Sequence, residues 1–323
     1  MIFDLQNNNL IEYAYYIAPD STATNGVQSV QYPLFGGSRV LLEWQDVGMP
    51  NINYIQDQGP FQNGVTVRDF RLQPRIITLT LYERGLKRND FYKNEADIIN
   101  KIRPNRSSTQ APGRLLLIQP DNTEIEINAR ILEGPSGNWD GQGGIIPSDF
   151  REELRFFCAD PVWRLTNATN ITFEPETGDS CLDTCLDTCL VPALIAESQT
   201  IAYTGTWDGD QITITITGPL ALPQINNNTT GKTIALNYTV SAGETVTITI
   251  LPETATIVNN LGVNLLGVAD NLSDLTTFVL ATEGDLTPDG NNSIGAFGTD
   301  ATVGTSQIVF SYFTRHISAF TPS

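Results

Sequence analysis

The chain has 323 residues, enough for two domains that each bury an apolar core. It carries 36 acidic against 18 basic residues, a net charge of −18, which excludes a nucleic-acid or anionic-membrane binder that works by neutralising phosphates. One histidine and four cysteines leave little material for histidine catalysis or His-rich metal sites, while 40% hydrophobic and 17% charged content is that of a folded chain.

The start, MIFDLQNNNLIEYAYYIAPD, has no basic n-region, no long apolar h-region and no small-residue cleavage site, so no targeting segment is expected. No run approaches the roughly 18–20 apolar residues of a membrane-spanning helix, and no membrane insertion is expected. Arg75–Tyr82, Leu115–Ile118, Glu124–Ala129 and Leu154–Cys158 alternate in the manner of strands. Between them, NDFYKNEADIINKIRP departs from period two. Asn89 or Asp90 serves as a cap, Phe91, Ile98 and Ile102 share a face, and Pro104 ends the run, which predicts a helix over 90–103 packed on a sheet. Cys158, inside an apolar strand, reads as a small buried hydrophobe. Residues 1–165 therefore form a mostly β domain with one α-helix.

The pattern fades over 166–200, where polar residues, prolines and a tandem CLDT-CLDT-CL repeat suggest a linker. From 201 to 323 the chain reads as nearly all strand. In QITITIT, Ile212, Ile214 and Ile216 oppose Thr213, Thr215 and Thr217; in TVTITI, Val246, Ile248 and Ile250 oppose Thr245, Thr247 and Thr249. Such alternation of β-branched residues is what a half-buried antiparallel strand requires. Thr277–Leu280 and Gln307–Phe313 are less clean strands, and the Asn- and Gly-rich stretches INNNTTGK and TPDGNN are turns. Short strands between turn signals imply sandwiches or barrels. Charge divides with the domains. Residues 1–165 hold 16 basic and 20 acidic residues, net −4, whereas residues 166–323 hold two basic (Lys232 and Arg315) and 16 acidic, net −14.

Chemistry is hard to place on this chain. A Ser-His-Asp triad needs His316, the only histidine, and no G-x-S-x-G elbow occurs. TTGKT at 229–233 lacks the first glycine of a phosphate loop, whose position is Asn226, and strands flank it where a helix is required. Asp208 with Asp210, and Glu283 with Asp285 and Asp289, read either as turn residues or as hard-oxygen ligands or paired acids. Cys181, Cys185 and Cys189 recur every four residues; the alternatives are an inert linker, or a metal site or intermolecular cross-link. No catalytic residue and no cofactor is assigned.

Two stretches carry a family resemblance. REELRFFCADPVW (151–163), preceded by VRDFRLQPRIITLTLYERG (67–85), the 90–103 helix and LLLIQPDNTEIEINARILEG (115–134), resembles the N-terminal domain of siphophage distal tail proteins. ITGPLALPQINNNTTGKTIALNYTVSAGETVTITI, NNLGVNLL, DLTTFVLATEGDLTPDGNNSI and IVFSYFTRHI together resemble the galectin-like β-sandwich that ends the same family. The resemblance implies an N-terminal β-sandwich-like ring domain, a C-terminal galectin-like β-sandwich, and a structural, non-enzymatic role at the virion tail tip after assembly in the host cytoplasm. It further implies a homo-hexameric ring that joins the major tail tube protein to the tail hub or fibre, with the tape-measure protein as a further neighbour and DNA passing unbound through the channel. The alternative is a carbohydrate-binding module for host surface glycans, for which Trp207 and Tyr312 are the aromatic candidates, since fold alone does not imply sugar binding.

Overall fold

Alternating side chains commit most of the chain to antiparallel strands, and in the computed structural model these gather into two units. The described residues are 13–17, 31–33, 39–60, 62–84, 93, 96, 98–100, 102, 112–119, 121–135, 149–175, 193–252, 254–284 and 289–320. Unit 1 comprises Met1–Thr166 together with His316–Ser323, and unit 2 comprises Asn167–Arg315. Unit 2 is thus inserted into the chain of unit 1. Among the described residues no helix is long and apolar enough to cross a membrane.

In unit 1 the strands are β1 (Tyr13–Ile17), β2 (Gln31–Pro33), β3 (Arg39–Gln45), β4 (Ile52–Asp57), β5 (Thr66–Leu72), β6 (Arg75–Arg84), β7 (Gly113–Ile118), β8 (Glu124–Glu133), β9 (Asp149–Cys158) and β10 (Trp163–Leu165). Seven of them run in the order β2-β1-β7-β8-β9-β6-β3, with β10 beside β8. Ile77, Leu79 and Leu81 of β6, Leu115 and Leu117 of β7, Ile125 and Ile127 of β8, and Leu154 and Phe156 of β9 alternate onto one buried face. Lys93, Ala96, Ile98, Ile99, Asn100 and Ile102 are helical. Ile98 and Ile102, four apart, reach the core from one side of that helix, while Phe91 lies outside the described residues. Cys158 is fully buried and its thiol is pushed up to about 12 by desolvation, which leaves it inert at neutral pH.

In unit 2 the strands are β11 (Thr169–Phe173), β12 (Ala193–Ala202), β13 (Ile212–Thr217), β14 (Leu220–Asn227), β15 (Lys232–Ala235), β16 (Thr239–Val240), β17 (Thr245–Leu251), β18 (Thr254–Asn259), β19 (Asn291–Ala301) and β20 (Gln307–Tyr312). One sheet runs β11-β20-β13-β17-β18 and the other β12-β19-β14-β15, with β16 beside β14. The two sheets share one core: Ile212, Ile214 and Ile216 of β13 and Val246, Ile248 and Ile250 of β17 meet Ile225 of β14, Ile195 of β12 and Ile294 of β19. This is a β-sandwich.

Two readings from sequence differ from the structure. The segment taken as a linker, 166–200, contains β11 and most of β12. Both are sheet edges with few buried anchors, Phe173 in one and Ile195 and Ile201 in the other, so their apolar signal is thin. Thr277–Leu280 is not a strand. Phe278 and Leu280 are fully buried plugs on an irregular segment, held by a bridge between Leu280 and Gly209 and by Asn227 Nδ2, which donates to Val279 C=O at 2.8 Å.

Candidate functional site

Among the described residues of unit 1, the β4–β5 hairpin forms a two-stranded sheet of its own. Its strands pair only with each other, Ile52 with Leu72, Asn53 with Arg71 and Tyr54 with Phe70, and a bulge falls after Ile55. Most of its side chains are exposed. Tyr54 (49% exposed) and Phe70 (46%) stand directly opposite each other, and Ile55, Val65 and Val67 are exposed beside them. The hairpin carries Asp57, Arg68, Asp69 and Arg71, a net charge of zero, and Arg68 pairs with Asp57 at 2.8 Å. Its loop is ordered by local bonds: Gly59 N–H donates to Gln62 Oε1 at 3.1 Å, and Gln62 Nε2 donates to Thr66 Oγ1 at 2.8 Å.

The base of this hairpin is clamped by one buried cation. Arg75, 4% exposed, donates from Nη1 to the carbonyls of Asp46 (3.1 Å) and Gly48 (2.7 Å), and from Nη2 to that of Ile317 (2.7 Å). Asp46 holds a left-handed backbone, φ 63°, which turns its carbonyl into the clamp. Burial pushes the guanidinium down to about 10, so it stays charged at neutral pH. Asn51 C=O then accepts from Gln73 N–H at 2.8 Å and closes the hairpin's neck. A second fixed point is Glu126 on β8, whose buried carboxylate accepts from Arg114 of β7 at 2.7 Å and from Arg164 of β10 at 2.7 Å. One carboxylate thereby ties three strands together.

In unit 2 the residues considered from sequence do not form a common platform. Tyr312 is 6% exposed and belongs to the core, its ring 6.0 Å from Tyr203 and 6.2 Å from Phe310, so it offers no face to a sugar. Trp207 is half-buried and its backbone N–H donates to the carbonyl of Arg315 at 3.3 Å. Buried Tyr203 organises this corner. Its hydroxyl donates to Trp207 C=O at 2.8 Å and accepts Arg315 N–H at 2.9 Å, while burial pushes its pKa up. A Cβ at Gly205 would fall 2.5 Å from the Tyr203 ring, and one at Gly290 (φ +66°) 2.3 Å from the Tyr203 carbonyl, so glycine is required at both. Asp210 pairs with buried Arg315, and Lys232 with Asp274 at 3.2 Å, so both basic side chains of the unit are matched to carboxylates.

His316 is buried, which lowers its pKa, and among the described residues its Nδ1 meets no hydrogen-bond partner of the kind a triad requires. Among the described residues no group of three His, Cys, Asp or Glu side chains is placed to hold a metal ion. Cys181, Cys185 and Cys189, and Asp285, lie outside the described residues. Sequence reasoning missed the hairpin and its Arg75 clamp. The available signal was a lone arginine heading the apolar strand β6.

Two sheets of unit 2 around one core, beside a strand-rich unit 1 in the same chain, define a fold class seen in phage hub and baseplate proteins. The phage SPP1 Dit protein, described as a paradigm of the hub adsorption apparatus in phages infecting Gram-positive bacteria, superposes with a TM-score of 0.57 at 11% identity, covering 86% of this chain and 93% of that one. A chain of the phage P2 baseplate, in its activated conformation with Ca, does so with a TM-score of 0.51 at 11% identity, covering 96% and 100%. At such identities the likeness is one of fold. No protein-family model and no curated protein matches the sequence. The distal-tail resemblance read from sequence motifs and the fold likeness point to one class.

Proposed function

We propose that the protein is a non-enzymatic structural subunit of a phage tail tip, in which copies of unit 1 close a homo-hexameric ring that joins the tail tube to the hub or fibre. The observation that carries this reading is the β4–β5 hairpin. Among the described residues the hairpin pairs with no third strand, an arrangement that is marginal in water, and exposed Tyr54 and Val67 mark a contact surface. A patch that docks on a different surface of the next copy makes a heterologous contact, which closes into a ring when the rotation is right. The net zero charge of the hairpin sets no repulsion against repetition around such a ring. The fold shared with SPP1 Dit supports the assignment. Its partners are further copies of itself, the major tail tube protein, the hub or fibre and the tape-measure protein. A net charge of −18 suits a conduit that lets DNA pass without gripping it.

Light scattering and negative-stain images of the purified chain test this. A ring-sized species is expected, and the double variant Tyr54→Ser/Phe70→Ser is expected to run as a monomer whose thermal midpoint is close to that of wild type. A wild-type chain that stays monomeric at high concentration, or a double variant that still forms rings, overturns the reading.

A further inference from the structure

In the loop that joins β4 to β5, Asn63 precedes Gly64. An asparagine followed by glycine can lose its side-chain nitrogen, because the next backbone nitrogen lies within reach of Cγ and glycine has no Cβ to obstruct it. A folded chain permits this only where the carboxamide is unbound, the next N–H is unbound, and one has room to swing onto the other. Asn63 and Gly64 meet all three conditions. Both are exposed. Among the described residues neither the Asn63 carboxamide nor the Gly64 N–H forms a hydrogen bond, although Gly59, Gln62 and Thr66 around them are bonded to one another. Gly64 has φ +87°, and a Cβ built on it would meet nothing within 4 Å.

Comparable positions in unit 2 are closed. Aspartate-glycine steps share the same ring chemistry, but Gly209, after Asp208, donates its N–H to Leu280 C=O at 2.9 Å. Gly290, after Asp289, is buried, and a Cβ there would fall 2.3 Å from the Tyr203 carbonyl. Asparagines of the unit are tied through Oδ1: Asn259 accepts Leu261 and Val263 N–H, and Asn264 accepts Leu266 N–H. A carboxamide held in this way cannot turn onto the following nitrogen.

We propose that Asn63 is a site of spontaneous deamidation, through which the hairpin of an unassembled chain ages. The Gly64 nitrogen attacks Asn63 Cγ, and the new C–N bond closes a succinimide. The carboxamide nitrogen leaves as ammonia, taking up the proton of the Gly64 N–H. Water then opens the ring at either carbonyl, giving aspartate or isoaspartate, and nothing is oxidised or reduced. Either product brings a carboxylate, ionised at neutral pH, to a hairpin whose Asp57, Arg68, Asp69 and Arg71 otherwise sum to zero. Isoaspartate also routes the backbone through the side-chain carbon and so lengthens the loop. The consequence for assembly rests on the reading of this hairpin as the ring contact, where a charge repeated at every contact has to be desolvated.

For the test, the full chain is held at mildly alkaline pH and physiological temperature, and its peptides are followed by mass spectrometry. Protein isoaspartyl methyltransferase serves as the probe for isoaspartate. The expected result is the mass rise of an amino group replaced by hydroxyl at Asn63, ahead of any at Asn259 or Asn264, with isoaspartate in the product. The rise should slow at mildly acidic pH, where the Gly64 amide is harder to deprotonate. Gly64→Ala is expected to slow it about tenfold or more, and Asn63→Gln to abolish it. Asn63 still intact when Asn259 or Asn264 has converted, or a rate that Gly64→Ala leaves unchanged, overturns the proposal. Asn63→Asp tests the consequence: its rings should need a higher protein concentration than those of wild type, and equal assembly overturns that part. Mass reports conversion in any oligomeric state, so a wild type that stays monomeric removes the ring and the assembly consequence, while the result at Asn63 stands.

Discussion

At the scale of single residues, unit 2 is held by a few polar groups whose removal has distinct signatures. Tyr203 connects two backbone groups through one hydroxyl, Trp207 C=O and Arg315 N–H, inside the core. Tyr203→Phe keeps the ring against Gly205 and Gly209 and takes away only those two bonds. A loss of about 1–3 kcal/mol in the urea unfolding of unit 2 is expected, with the transition of unit 1 unmoved. Glu244 supplies a pH signature. Its carboxylate accepts Ser241 N–H at 3.0 Å, Asn259 Nδ2 at 3.0 Å and the Tyr238 hydroxyl at 2.8 Å, and the backbone bond leads in holding its pKa below the ordinary glutamate value. A carboxyl depressed in the folded state stabilises it above the unfolded pKa, and that contribution fades as pH falls through the lower folded value. Acid titration of unit 2's other carboxylates relieves repulsion and acts in the opposite sense. Comparison of wild type with Glu244→Gln isolates the term: the difference between their melting midpoints should be largest at neutral pH and shrink below about pH 4. A difference independent of pH refutes it.

At the scale of elements, legibility follows burial on one face. β13 and β17 were readable because every second residue is a β-branched hydrophobe, and they pair in register, Ile214 with Ile248 and Ile216 with Val246. The helix was readable because Ile98 and Ile102 repeat at helical spacing and both reach the core. Edge strands were not. β11 and β12 alternate weakly, since an edge strand buries fewer anchors, and a stretch broken by prolines and the cysteine repeat masks them further. The hairpin β4–β5 was silent for the opposite reason, because with both faces exposed no period is imposed on its sequence. Phe278 and Leu280 show the remaining failure. Two buried apolar residues at a spacing of two imitate a strand, and only tertiary context shows that they plug a core from a loop. Of the site residues weighed in the sequence, Tyr312 was read by type without its burial.

At the scale of the whole molecule, the insertion of unit 2 between Thr166 and His316 makes the last residues of the chain part of the first unit. Ala319 is fully buried in the core of unit 1, its N–H donates to Val47 C=O at 2.9 Å, and its carbonyl accepts Gln119 Nε2 at 2.6 Å. Ile317 C=O is one of the three acceptors of Arg75, the side chain that also clamps the turn at Asp46 and Gly48 where the chain enters the hairpin. Deletion of residues 316–323 therefore removes an acceptor from a buried guanidinium and two bonds from a core segment that lie far away in sequence. A destabilisation of unit 1 on the order of 3 kcal/mol is expected. The strands β11–β20 all lie within 167–315, so the transition of unit 2 should keep its midpoint, and calorimetry should show one transition moving to lower temperature while the other stays. Because Arg75 links the C-terminal segment to the hairpin's base, the same deletion should also weaken ring assembly at concentrations where the full chain is assembled. Two unshifted transitions, or a shift confined to unit 2, are the results that contradict this account of how the chain is tied together.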